Sequence, residues 1–129
     1  MSKIRPNRIF FLRATILSLI IMVGGSYALA QFETVTLAKP VTIRVLSGQV
    51  KDPTGGEIEG AHIDLLDLQT EKVIASTTTD SKGNFHFDDF GKSSYKLKIS
   101  KYGFNILQAT IRIRKNAPAF ADFTLPIAA

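Results

Sequence analysis

The sequence predicts an all-β fold, a sandwich of about seven antiparallel strands. Three observations carry the prediction. Apolar and polar residues alternate with period two in short runs between Val41 and Leu125, as in strands with one face in a core and the other in water. Clusters of Asp, Gly, Pro and Ser separate those runs at the spacing of a sandwich. After Ala30 no segment repeats its apolar residues at the helical period over a useful length.

The chain opens on a different pattern. Lys3, Arg5, Arg8 and Arg13 precede the first acidic residue, Glu33. The apolar run Ala14 to Val23 follows, then Gly24-Gly25-Ser26 and the small-x-small triplet Ala28-Leu29-Ala30. Basic, apolar and small segments in that order read as a secretory signal peptide over residues 1–30, with cleavage after Ala30. The apolar run falls short of the roughly 20 residues that span a bilayer. Left uncleaved, it would be an inner-membrane anchor and the chain's only membrane contact. The expected location is periplasmic or extracellular. The chain has no cysteine, so an exported product relies on its core without disulfide staples.

Residues 31–40 read as a linker ended by Pro40, and 41–129 as one domain. Val41, Ile43 and Val45 alternate with Thr42, Arg44 and Leu46, and the strand is expected to run on through Val50. Pro53 and Gly55-Gly56 after Asp52 make a turn. Ile63 and Leu65 share one face of the next strand, and Val73 to Thr79 forms another. Asp80-Ser81-Lys82-Gly83 has turn chemistry, and a hairpin is expected across it to Phe85 and Phe87, whose rings share a face. Phe90 is expected to pin the loop Asp88 to Ser93 to the core. Tyr95, Leu97 and Ile99 alternate with Lys96, Lys98 and Ser100. Leu107, Ala109, Ile111 and Ile113 alternate with Gln108, Thr110, Arg112 and Arg114, and Ala121 to Leu125 forms the last strand.

Five pieces of this pattern, in order, resemble the carboxypeptidase regulatory-like domain, a transthyretin-like (prealbumin-like) sandwich of Greek-key type. They are Gly48-x-Val50-x-Asp52-x-x-Gly55, Gly60-Ala61-x-Ile63, Thr79-Asp80-x-x-Gly83-x-Phe85-x-Phe87, Tyr95-x-Leu97-x-Ile99 and Gly103-Phe104. The family's usual proline before the second apolar strand is Glu57 here, and the glycine two before the tyrosine is Ser93. Both departures touch loops. The matched residues have structural roles, so the resemblance implies a fold and little chemistry.

Catalytic and metal-binding patterns are sparse. His62 and His86, the two histidines, fall on outward positions of alternating strands. Asp64, Asp67, Asp88 and Asp89 are the acids a calcium site would draw on, but no Asp-x-Asp-x-Asp-Gly loop occurs. No G-x-S-x-G elbow is present. The C-terminal Tyr-Arg-Gly-Ser signature of the hydroxyisourate hydrolases that share the fold is replaced by Leu125-Pro126-Ile127-Ala128-Ala129. No catalytic residue, metal or cofactor is expected.

Charge carries more information than motifs. The net charge of +5 includes four basic residues of the leader. Without them twelve basic residues face eleven acidic ones, a balance that gives no reason to expect a nucleic-acid partner. The distribution is uneven: residues 31–91 hold five basic and ten acidic residues, and residues 92–129 hold seven basic and one acidic. Lys96, Lys98, Arg112 and Arg114 fall on outer faces of two successive strands. If those strands pair, they form a strip suited to an anionic glycan, headgroup or acidic protein patch; the alternative is a solvated face that blocks edge pairing. The leading functional expectation is a non-catalytic module for binding, adhesion or scaffolding in the bacterial cell envelope, with a protein or glycan partner. Strand 106–113, if at an edge, would accept a partner strand. The alternatives are a small secreted hydrolase and an accessory subunit of an outer-membrane transport complex.

Overall fold

The computed structural model describes residues 33–128, which form nine strands and no helix. The strands are β1 (Thr34–Thr36), β2 (Val41–Ile43), β3 (Ser47–Lys51), β4 (His62–Leu66), β5 (Val73–Thr78), β6 (Asn84–His86), β7 (Ser94–Ser100), β8 (Ile106–Ile113) and β9 (Ala121–Thr124). The larger sheet runs β1-β8-β7-β4-β5, with β2 also on β8, and the smaller runs β6-β3-β9. The all-β sandwich is as the alternation predicts. The two strands beyond seven have specific origins: β1 lies inside the expected linker, and the expected strand 41–50 is split.

The split sits at Arg44–Leu46, where the chain leaves the larger sheet and enters the smaller. Arg44 N–H donates to the Pro118 carbonyl (2.8 Å), and Ser47 N–H folds back onto the Val45 carbonyl (2.8 Å). The crossing reverses which side chains point inward, so Leu46 is buried and Val45 is exposed, opposite to the expectation from simple alternation. Three pairings are parallel: β1 and β2 with β8, and β3 with β9. Parallel neighbours need a long crossover, and most of the domain lies between the partners in each pair.

The expected hairpin across Asp80–Gly83 does not form. β5 pairs with β4 in the larger sheet and β6 with β3 in the smaller, so the turn carries the chain from one sheet to the other. Its local chemistry is as expected. The Asp80 carboxylate accepts from Lys82 N–H and Asn84 N–H (2.9 Å each), and Gly83 takes φ 75°. Phe85 and Phe87 enter the core edge-on to each other, with ring centroids 6.1 Å apart. Phe90 does not pin its loop, being 42% exposed.

Tyr95, Phe123, Ile63, Leu65, Ile99, Ile111, Leu125 and Val50 fill the space between the sheets. The Tyr95 hydroxyl accepts from Lys92 N–H (3.0 Å), so the ring is buried with its polar end satisfied. β8 is not an edge. Its outer side is occupied by β1 along Ile106 to Gln108 and by β2 along Ile111 to Ile113, which removes it as a docking strand.

Candidate functional site

The outer face of the larger sheet collects the outward residues of its strands. Register sets Gln108, Lys98, Asp64 and Ser76 in one row across β8, β7, β4 and β5. In an adjacent row His62 stands opposite Ser100 on one side and Thr78 on the other.

The expected basic strip is placed only in part. Lys96 and Lys98 lie on the outer face of β7, and Arg112 on that of β8, opposite Ser94. Lys96 ion-pairs with Glu71 from the β4–β5 turn, and Lys98 stands directly opposite Asp64. Arg114 lies past the end of β8, and its guanidinium donates to the Ile113 carbonyl (3.0 Å). The four cations thus share a side of the sheet without forming one uninterrupted row. Glu71 is held below the usual carboxylate range by its hydrogen bond and charge attraction to Lys96. Asp67, at the start of the same turn, is lowered further, first by Lys92 and then by Thr70.

His62, Asp64 and Ser76 contain the residue types of a catalytic triad in the wrong order. His62 Nε2 lies 2.8 Å from Asp64 Oδ1, and the Ser76 hydroxyl donates to that same oxygen at 2.5 Å. In a working triad the imidazole sits between hydroxyl and carboxylate and takes the hydroxyl proton. Here the carboxylate sits in the middle, so this contact gives the serine no base. His86 is exposed beside a cavity of about 280 Å³ that Arg44, Asp88 and Asp89 also line. Among the described residues no three His, Cys, Asp or Glu side chains are grouped to hold a metal.

An open, mainly apolar cleft of about 450 Å³ lies at one end of the larger sheet. His62, Ser100 and Ile106 lie along it on three neighbouring strands, and Gly60, Lys101, Tyr102 and Phe104 complete its lining. Tyr102 is 89% exposed. The turn carrying it is fixed from both sides, by Phe104 N–H on the Lys101 carbonyl (3.0 Å) and Ala128 N–H on the Gly103 carbonyl (3.1 Å). In the sequence Gly103-Phe104 stands only as the last piece of the family pattern, and Tyr102 is unmarked. The turn's one legible signal is a pair of aromatic residues flanking a glycine.

Two facing sheets, with turns built on Asp52 and Asp80, define the class as an all-β sandwich module. The chain belongs to the carboxypeptidase regulatory-like domain family, whose family model matches residues 45–126. Domains of that family are β-sandwich modules, typically non-catalytic. β1 and β2 precede the matched region. No curated protein matches the sequence. Among solved structures, a crystal structure of a point mutant of catechol 1,2 dioxygenase from Acinetobacter radioresistens is similar over 64% of this chain, at 14% identity and a TM-score of 0.37. The similarity spans 42% of that longer chain and is too slight to bear on activity.

Proposed function

We propose that the protein is a non-catalytic binding module of the bacterial cell envelope, exported through its N-terminal segment, that holds its partner at the cleft around Tyr102. The cleft is the observation that carries this reading. An aromatic ring at high exposure, a second aromatic wall and a mainly apolar floor are features of a contact surface. The lining cation Lys101 and Lys98, two residues before Ser100 on β7, add attraction for an anionic group on the partner. The hydrolase alternative gains nothing from Ser76, His62 and Asp64 in the order found here.

The test is affinity capture from an envelope extract. The bait is the chain expressed with its own N-terminus and a C-terminal tag, at low and high salt, beside Tyr102→Ser. A discrete protein or glycan held by the native chain and lost with Tyr102→Ser is the expected result. Equal capture by both chains would remove the cleft from the account.

A further inference from the structure

The residues that line the Tyr102 cleft include Lys101 and no acid. Lys101 is half-buried, and a Cβ placed on Gly60 would lie 3.2 Å from its ammonium nitrogen. The bare backbone of Gly60 thus opens the place that the ammonium takes. Among the described residues the Lys101 ammonium has no ion pair and no hydrogen bond. A cation drawn partly out of water beside apolar walls is costly without a counter-charge, and a bound anion supplies one.

Two neutral polar groups accompany it. Ser100 stands opposite His62 in the register of β7 and β4, and its hydroxyl is likewise without a partner among the described residues. His62 Nε2 lies 2.8 Å from Asp64 Oδ1. A carboxylate only accepts, so the imidazole donates from Nε2 and keeps Nδ1 as an acceptor in its neutral form. The remaining walls, Phe104, Ile106 and the Tyr102 ring, are apolar or aromatic. The cleft therefore offers one cation, one hydroxyl and one ring nitrogen, set in a mainly apolar lining.

We propose, taking the cleft as the contact surface, that its occupant is the C-terminal residue of a protein partner, recognised by its free carboxylate and an apolar side chain. The groups match one for one. The carboxylate meets Lys101 and the Ser100 hydroxyl, the last amide N–H meets His62 Nδ1, and the side chain meets Phe104, Ile106 and Tyr102. A terminal residue carries its charge and its apolar side chain on a single Cα, so both fit within about 450 Å³. An internal Asp or Glu brings the charge without the apolar group. A sugar ring brings a hydroxyl on most of its carbons, and this lining would leave many of them unpaired.

The experiment uses the whole chain expressed with its own N-terminus and purified from the envelope. Its probes are two pools of hexapeptides, varied at the last two positions and anchored through their N-termini. One pool ends in a free carboxylate and the other in a carboxamide. The native chain is expected to bind the free pool, to favour members ending in an apolar residue, and to bind their amides about tenfold more weakly. Lys101→Met should lower the free pool to the level of the amides, and Lys101→Arg should preserve the preference. Equal binding of the two pools, binding indifferent to the last side chain, or no binding of either overturns the proposal. If the pools bind equally while Tyr102→Ser still abolishes envelope capture, the cleft stands and only the terminal carboxylate is lost. If Tyr102→Ser changes neither capture nor pool binding, the cleft falls as well.

Discussion

The hydroxyl of Thr79 accepts a hydrogen bond from Ala61 N–H at 2.8 Å and donates one to the Ile58 carbonyl at 2.6 Å. Thr79 is the buried polar side chain of the core, at 4% exposure. Through it the end of β5 holds the irregular segment 58–61 that leads into β4, and so fixes the floor of the cleft at Gly60 and His62. Thr79→Val keeps the shape and strands one donor and one acceptor. We expect a loss of about 1–3 kcal/mol in urea unfolding. Thr79→Ser, which keeps the hydroxyl, should retain most of the stability. Equal midpoints for the native chain and Thr79→Val would show that the hydroxyl is not needed.

Gly83 gives a second stability test with an internal control. Its φ is 75°, and a Cβ there would lie 2.5 Å from the Val50 carbonyl oxygen. Gly55 has a φ of 89° with open space around it. Gly55→Ala should cost about 1–2 kcal/mol for the left-handed backbone alone, and Gly83→Ala clearly more. Equal losses would mean that the contact with Val50 yields freely.

Strand existence and inward faces were legible in the sequence, because a half-buried strand must alternate. Tyr95-Leu97-Ile99 and Leu107-Ala109-Ile111 are buried as the alternation requires. Alternation reports a face and never a partner. That is why the run 41–50 concealed a change of sheet at Arg44–Leu46, and why the turn at Asp80 looked like a hairpin. β1 was invisible for a related reason: of its three residues only Val35 packs against the core. The cleft joins the contiguous stretch from Ser100 to Ile106 to Gly60 and His62, far earlier in the sequence, so only the fold could bring the two together. The same holds for Lys96 and Glu71, whose pairing interrupts the strip that charge counting suggested.

Acid should weaken the fold through the β4–β5 turn. Asp67, Glu71 and Asp52 all have carboxyls lowered in the folded state, by Lys92, by Lys96 and by the Thr54 hydroxyl respectively. A lowered folded pKa means that the unfolded chain binds the proton more readily, so stability rises with pH across that window. The contribution is complete above the unfolded carboxylate range near pH 4 and is lost as pH falls through the lower folded values. The melting temperature should therefore fall between about pH 5 and pH 2, and Asp67→Asn should flatten that slope. A slope unchanged by Asp67→Asn would assign the acid sensitivity elsewhere.

Charge reversal separates the cations from the aromatic part of the cleft. Lys98→Glu with Lys101→Glu should remove the salt-sensitive part of partner capture and leave the salt-resistant part, which belongs to Tyr102 and Phe104. Capture with unchanged salt dependence would make these lysines a solvated face.

Hydrogen–deuterium exchange on the captured complex tests the central claim most directly. Contact at the cleft predicts new protection confined to Gly60–His62 and to the segment from Ser100 to Ile106. Protection that spares both segments and appears instead on the smaller sheet, around Gly48 and Phe120, would contradict it.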